Sequence, residues 1–127
     1  MQQQSKKLTT KVKKWDFEMK LLTKAILKAF EKQGDTSEKE PKDIKIICKF
    51  FNPAGAGMWY MYEYNPEDKI FWGFANLGWP EMAECGTIAL QELEEIRLPF
   101  GLKIERDLHY GDHTLQEVID ENEKMIR

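Results

Sequence analysis

Aromatic residues that carry polar ends are concentrated in one short part of the chain. Eight Trp, Tyr and Phe residues fall within positions 59–79. Alternation along a strand places three tyrosines on one face, namely Tyr60, Tyr62 and Tyr64. If helices cover only the other face, these tyrosines and Trp72 form an aromatic surface that stacks on bases or anchors a protein partner. The bland alternative is that helices cover both faces or that the tyrosines pack beneath the N-terminal segment.

A charged residue interrupts the apolar side of a second alternating stretch. Within residues 102–110, Arg106 falls on the same side as four apolar or aromatic residues: Leu102, Ile104, Leu108 and Tyr110. An unpaired guanidinium in such a place costs about 3–5 kcal/mol, so it needs a carboxylate. Glu63 lies beside Trp59 and Met61 on its own strand and has the complementary problem. We predict a structural ion pair between Arg106 and Glu63, with Glu84 or Glu92 as other acceptors and a substrate-binding arginine as the alternative.

Catalytic and metal-binding patterns are weak. His109, Asp112 and His113 have ligand chemistry, but a flexible turn with no fourth ligand is more often an exposed polar loop. A metal-dependent hydrolase or nuclease would draw on Glu63, Glu105, Asp107 and His109. Cys48 has the strand position of an inert buried thiol, Cys85 lacks an evident base, and residues 53–57 lack the GK[ST] of a phosphate-binding loop. We predict no catalytic residue, cofactor or metal, and the balance is against an enzyme.

Charge is distributed unevenly along the chain. Residues 1–19 carry five lysines against two acids, a balance of +3, and residues 20–127 carry 14 basic against 20 acidic residues, a balance of −6. Those five lysines form a basic arm consisting of Lys6, Lys7, Lys11, Lys13 and Lys14. They would hold phosphates if the protein bound nucleic acid, although an acidic body repels it. The simpler interpretation is a solvated tail.

The first helix is predicted by an apolar stripe with three- and four-residue spacing, which runs from Leu8 through Trp15 to Phe30. Gly34 suits the residue that closes it. Thr23 is an alternative N-cap, in which case the helix starts there and residues 1–18 form a separate basic extension or helical arm. The stripe alone does not decide between these two boundaries.

The rest of the chain predicts a meander of strands. Residues 43–52 and 58–64 form a hairpin across a glycine loop, residues 69–77 follow a turn, and residues 84–88 and 102–110 add further strands. A short helix over residues 90–96 and a C-terminal helix opened by a capping box at Thr114 and Glu117 complete the pattern. We therefore predict one α+β domain over residues 19–127, with an antiparallel sheet of about four to five strands.

Composition limits the class of protein. The 127 residues are 42% hydrophobic and 32% charged, which suits one globular core and excludes wholesale disorder. No run of 18 apolar residues occurs, so we expect neither a membrane span nor a secretory signal. Two distant cysteines are typical of reduced thiols in a cytoplasmic protein.

Several motifs together resemble a known family. They are residues 19–24, 49–53, 71–73 and 90–95, Trp59-Tyr60 with Glu63, and above all residues 99–107. They resemble a family of short bacterial proteins catalogued as domain of unknown function 2958, whose members occur on plasmids, phages and integrated conjugative elements. Members often begin near Met19, which makes it an alternative start. They tend to have a serine, a good N-cap, where this chain has Ala89. We therefore expect the helix that follows to be about 1 kcal/mol less stable at its start.

The resemblance implies context and little chemistry. We expect a non-enzymatic accessory protein of a mobile genetic element that acts through a protein partner, in host-defence evasion or element maintenance. The first alternative is a single-stranded nucleic-acid-binding module that uses the aromatic face and the basic arm. The second is the metal-dependent hydrolase or nuclease. The sequence leaves the partner and the oligomeric state open.

Overall fold

The computed structural model describes residues 21–126 as one α+β domain of three helices and a five-stranded antiparallel sheet. The helices are α1 (Lys24–Gln33), α2 (Leu90–Glu95) and α3 (Leu115–Ile126). The strands are β1 (Cys48–Phe51), β2 (Met58–Asn65), β3 (Ile70–Asn76), β4 (Glu84–Ala89) and β5 (Glu105–Arg106). Their order in the sheet is β4-β3-β2-β1-β5. The predicted fold class and meander are confirmed.

The first helix takes the shorter of its two predicted forms. Thr23 has extended backbone, and its Oγ1 accepts a hydrogen bond of 3.1 Å from the Ile26 N–H, so it is the N-cap of α1. Gly34 closes the helix at φ +65°, and its N–H donates to the Phe30 carbonyl. A continuous helix through Thr23 is therefore wrong. The earlier part of the stripe, from Leu8 to Met19, lies outside the described residues.

Two of the predicted strands are shorter than expected. β1 begins only at Cys48 because the chain before it pairs elsewhere: the Ile46 N–H donates to the His113 carbonyl, and Lys45 forms an isolated bridge with Thr114. β5 is reduced to Glu105 and Arg106, which pair with the end of β1. Residues 44–46 thus connect the sheet to the start of α3.

Both faces of the sheet are covered. On one face, α1 and α2 enclose a core that includes Phe30, Phe50, Trp59, Met61, Phe71 and Leu93. On the other, α3 covers a smaller core of Ile44, Ile46, Tyr62, Phe74, Leu115 and Val118. Ile44 and Ile46 therefore lie in a different core from Cys48 and Phe50, although simple alternation places all four together.

A β-bulge in β2 divides its aromatic residues between the two cores. The pairing with β3 skips Tyr62, because Met61 lies opposite Gly73 and Glu63 lies opposite Trp72. The Gln33 side chain holds this irregularity: its Nε2 donates to the carbonyls of Tyr62 and Lys45, and its Oε1 accepts from the Lys45 N–H. The side-chain amide thus takes the place of a peptide unit between the bulge residue and Lys45, which precedes β1 on the other side of β2.

Three short 3₁₀ turns lie at residues 41–43, 80–82 and 99–101. The predicted capping box is present, since the Glu117 N–H donates to Thr114 Oγ1 at 3.2 Å. Ala89 provides no side-chain cap for α2. Within residues 21–126, no helix is both long and apolar enough to cross a membrane.

Gly73 is predicted to tolerate no side chain. A Cβ there would lie 2.8 Å from the Tyr60 carbonyl oxygen and close to the Met61 side chain. Gly73→Ala should therefore lower the free energy of unfolding by about 1–3 kcal/mol, measured by urea denaturation. Gly86→Ala is the matched control on the next strand, because nothing lies within 4 Å of its Cβ position. An equal loss in both variants would show that the close approach at Gly73 has no energetic effect.

Candidate functional site

The three tyrosines predicted to share an exposed face do not do so. Tyr62, the bulge residue, is 8% exposed and belongs to the core beneath α3. Tyr64 lies on the opposite face, with its ring centroid 4.5 Å from that of Phe71 and 5.7 Å from that of Phe30. Trp72 packs partly buried against the core beneath α3. The predicted exposed aromatic surface is therefore wrong, because the bulge moves Tyr64 to the opposite face and helices cover both faces of the sheet.

Among these three tyrosines, Tyr60 borders a polar site. Its ring lies 5.7 Å from that of Tyr110, and Lys49 Nζ lies 5.3 Å and 5.5 Å from the two ring centroids. Asp107 Oδ2 is 3.9 Å from the same ammonium. Lys49 is thus held between two aromatic faces and a carboxylate, which stabilises its charge in a partly buried place.

The ring of His113 extends this cluster. It stacks on Tyr110 with centroids 4.2 Å apart, and its Nδ1 is buried with no hydrogen-bond partner among the described residues. Burial raises the pKa of the Tyr60 hydroxyl, and the negative charges of Asp107 and Glu121 raise it further. The pKa of the Tyr110 hydroxyl is also raised, first by burial. Both phenols therefore stay protonated well above neutral pH.

Two cavities flank this cluster. One, of about 490 Å³, is bounded by the glycine loop, Met58, Pro80, Lys49 and Asp107. The other, of about 470 Å³, lies along α3 beside Tyr60, Tyr110 and His113, and its α3 wall carries Glu117, Asp120 and Glu121. The cavities share two residues, Asn76 and Met125. Together they form a groove at the end of the sheet with carboxylates in its walls.

An exposed apolar loop borders the groove. Leu77, Trp79 and Met82 are 57%, 64% and 76% exposed, and we name these three residues the apolar loop. They follow β3 directly and lie on either side of Pro80, which lines the first cavity. Large apolar side chains are seldom left together in water unless they meet a partner.

A buried pair of asparagines holds the apolar loop in place. Asn76 Nδ2 donates to Asn122 Oδ1 at 3.1 Å, Asn76 Oδ1 accepts from the Gly78 N–H at 2.9 Å, and Asn122 Nδ2 donates to the Pro80 carbonyl at 2.8 Å. Asn76 is 4% and Asn122 7% exposed. Buried amides with these bonds satisfied fix the backbone of the loop, so Trp79 is presented by a rigid support.

Glu63 and Arg106 are not brought together. Glu63 Oε1 accepts hydrogen bonds from the Thr36 N–H at 2.8 Å and from Thr36 Oγ1 at 2.7 Å. In the strand register, Glu63 of the central strand β2 lies opposite Trp72 of β3. Arg106 belongs to the edge strand β5 and lies opposite Phe50 of β1. Glu63 therefore fastens the loop after α1, and no ion pair joins it to Arg106 within residues 21–126.

The residues considered for metal or hydrolytic chemistry are dispersed. Within residues 21–126, no three His, Cys, Asp or Glu side chains are grouped so that they could hold a metal ion. Asp107 is paired with Lys49, and Glu105 and His109 are exposed. Cys48 is buried and Cys85 is exposed, both as free thiols. The five lysines of the basic arm lie outside the described residues.

Two features of the site were missed from the sequence. Strand and helix periodicity do not identify Leu77, Trp79 and Met82 as surface-binding residues; the signal available for them is a turn, residues 77–82, rich in large apolar residues. The role of Lys49 had no local signal, because Tyr60 and Tyr110 reach it from different parts of the chain.

The chain matches the model of a known protein family. The model of a family described as a protein of unknown function (DUF2958) matches residues 21–125. No curated protein and no solved structure matches the chain.

The two thiols should differ sharply in reactivity. Burial raises the pKa of the Cys48 thiol to about 12, whereas Cys85 is exposed. At pH 8, a chromogenic disulfide reagent should modify Cys85 rapidly and Cys48 only when the protein unfolds. The Cys85→Ser variant isolates Cys48. Rapid labelling of that variant in the native state would contradict the burial of Cys48.

The same raised pKa values predict alkaline destabilisation. The folded state keeps the Cys48 thiol and the Tyr60 and Tyr110 phenols protonated where the unfolded chain ionises them. Their contribution is complete below pH 9, the ordinary thiol value, and is lost as the pH rises from there. Urea midpoints should fall above pH 9, and the Tyr110→Phe variant should lose less than the wild type over this range. An equal fall in both would exclude Tyr110 as a contributor.

Removal of the Asn122 side chain should loosen the apolar loop. Asn122→Ala breaks bonds to Asn76 and Pro80 and leaves a buried amide unpaired, so we expect a loss of about 2–3 kcal/mol in the free energy of unfolding. Amide hydrogen exchange should rise at residues 77–83. Glu123→Ala, an exposed neighbour on α3, is the control and should change neither measurement. Unchanged exchange in Asn122→Ala would show that other contacts fix the loop.

Proposed function

The chain belongs to the DUF2958 family of proteins of unknown function, and because that membership assigns no activity, we propose from its surface that it is a small non-enzymatic protein-binding module. The apolar loop and the adjoining groove are the proposed contact surface. The observation that carries the proposal is the exposure of Leu77, Trp79 and Met82 together on one rigid turn.

The support beneath the loop favours binding over incidental exposure. The two buried asparagines and Gly78 fix the loop backbone in advance, so a partner would not have to order it. Preorganisation of this kind lowers the entropic cost of association. Trp is also the residue type most enriched among those that dominate binding energy.

The charge around the loop favours a basic partner. Residues 21–126 carry 12 Lys and Arg against 20 Asp and Glu, a net of −8. Glu81 lies within the loop and Glu84 follows it, and the groove wall adds Glu117, Asp120 and Glu121 against one cation, Lys124. A segment with an apolar anchor between lysines or arginines would complement this surface, since opposite charges steer encounter and exclude other partners.

The same charge weighs against nucleic acid as the partner. The phosphate backbone would meet a net negative domain, and two cations that line the groove, Lys49 and Lys124, are already paired with Asp107 and Glu121. The aromatic residues that would stack on bases are largely packed in the two cores. The basic arm lies outside the described residues, so nucleic-acid binding is kept as an outcome of the test.

The biological setting is part of the proposal. The resemblance to proteins found on plasmids, phages and conjugative elements supports an accessory role for such an element, in host-defence evasion or element maintenance. The two free thiols support a cytoplasmic location, where cysteines stay reduced.

Selection from a phage-displayed library of random peptides tests the proposed binding. The wild-type protein should enrich peptides in which an apolar residue is flanked by Lys or Arg. The double variant Trp79→Ser, Met82→Ser should lose that enrichment at least tenfold, because it removes two anchors without touching a core. Phe100→Ser is the matched control, since Phe100 is 99% exposed and is not one of the apolar-loop residues.

Other outcomes overturn the proposal. Enrichment that is equal in the double variant and the wild type would exclude the apolar loop. A parallel titration with a single-stranded oligonucleotide at low and moderate salt, followed by tryptophan fluorescence, covers the alternative. Salt-sensitive quenching with no selected peptide would replace the protein partner by nucleic acid.

A further inference from the structure

Within residues 21–126, β4 leaves one edge of the sheet uncovered. In this part of the chain it pairs with β3 alone, as the outermost strand, and Glu84, Cys85, Gly86 and Thr87 are exposed along it. Natural proteins protect such edges with lysine, proline or a bulge. β4 has none of these: its sequence is ECGTIA, and its pairing with β3 is regular over the whole strand. The opposite edge strand, β5, is only two residues long.

The free main-chain groups of β4 can be assigned from its pairing. The Leu90 N–H donates to the Lys69 carbonyl at 2.9 Å, next to the Ile70–Ala89 pair. In an antiparallel ladder the hydrogen-bonded pairs alternate. Glu84, Gly86 and Ile88 therefore direct their N–H and C=O groups toward β3. The N–H and C=O groups of Cys85 and Thr87 and the N–H of Ala89 point to the open side, whereas the Ala89 carbonyl, at the N-cap of α2, accepts the first hydrogen bond of that helix.

Small side chains let another strand approach this edge. Cys85, Gly86, Thr87 and Ala89 are all small, and nothing lies within 4 Å of the Cβ position of Gly86. Only Glu84, at the very start of the strand, is charged. The edge therefore offers both unpaired hydrogen-bonding groups and the space for a second backbone.

We propose that β4 pairs antiparallel with β4 of a second copy of this chain, about a twofold axis at Thr87. Thr87 then faces the partner's Thr87, and Cys85 faces the partner's Ala89. Each Thr87 exchanges two main-chain hydrogen bonds with its mate, and each Ala89 N–H donates to the partner's Cys85 carbonyl, about four bonds in total. The two five-stranded sheets become one continuous sheet.

The register follows from the outward groups and the charges. A pairing centred on Thr87 uses all three outward residues of both copies within the strand. A pairing centred on Gly86 would set Ala89 opposite the partner's Ala83, whose N–H already donates to its own Pro80 carbonyl. With Thr87 at the centre, Glu84 falls opposite the partner's Leu90, so no like charges face each other.

A second copy suits this edge because antiparallel self-pairing is symmetric. One sequence supplies both halves of the contact, as a twofold interface requires. The Thr87 side chains face each other directly, and cross-strand threonine pairs stabilise sheets. This inference does not depend on the apolar loop: a dimer through β4 stands or falls separately from peptide binding at Trp79.

Light scattering coupled to size exclusion, at a series of protein concentrations, tests the dimer. The wild-type chain should approach twice its mass of 15.0 kDa as the concentration rises. Thr87→Pro removes an outward N–H that β3 does not use, so it should be monomeric throughout, with a thermal melt equal to that of the wild type at concentrations where the wild type is monomeric. Thr87→Lys sets two like charges face to face and should also be monomeric. Thr87→Val retains the main-chain donor and should remain a dimer.

A cysteine pair tests the register. In the proposed pairing, Ala89→Cys places a new thiol within disulfide distance of the partner's Cys85, since the Cα atoms of a hydrogen-bonded pair lie about 5.5 Å apart. Mild oxidation should give a covalent dimer of this variant and none of the wild type. A wild type that is monomeric at every concentration overturns the proposal. A dimer that persists in Thr87→Pro and Thr87→Lys overturns the β4 contact, and a wild type that cross-links more readily than Ala89→Cys overturns the register.

Discussion

The structure depends on how the Gln33 amide accommodates one extra residue in β2. Without the bulge at Tyr62, the strand would continue its alternation and bring Tyr64 to the same face as Tyr60. The Gln33 side chain bonds to Lys45 and to the Tyr62 carbonyl, so the carbonyl of the extra residue is satisfied. Tyr64 then packs between Phe30 and Phe71, and Tyr62 packs beneath α3. The bulge therefore assigns Tyr64 to the core beneath α1 and α2, while Tyr62 stays in the core beneath α3.

The parts of the fold that the sequence predicts well are those set by local chemistry. Thr23 and Gly34 bound α1 through hydrogen bonds within a few residues, and Thr114 with Glu117 opens α3 in the same way. The turns at residues 53–57 and 66–69 bring neighbouring strands together in a meander. Such signals are contained in short stretches of chain, so one sequence is enough to find them.

The predictions that fail have a common physical cause: the contacts that determine these parts of the structure join residues far apart in the sequence. Gln33 donates a hydrogen bond to the carbonyl of Tyr62, 29 residues further along the chain. Glu63 accepts a hydrogen bond from Thr36 and forms no ion pair with Arg106. Simple alternation predicts that Ile44 and Cys48 share one core. The Ile46 N–H instead donates to the His113 carbonyl, so the segment before Cys48 packs beneath α3. Lys49 lies among aromatic rings that come from two other segments. Periodicity carries no information about any of these partners.

Because helices cover both faces of the sheet, this coverage determines which groups remain available for binding at the surface. The aromatic side chains that made the sequence unusual are largely used in packing, so the surface is left with a rigid apolar turn and an unpaired strand edge. These two features are consecutive: the turn at residues 77–82 leads through Ala83 into β4. The Pro80 carbonyl accepts from Asn122 and also from the Ala83 N–H, so the buried asparagine pair fixes the start of the edge strand as well as the turn. A polar network inside the fold therefore fixes the apolar turn and the point at which the chain enters β4, and pairing with β3 positions the rest of the edge strand.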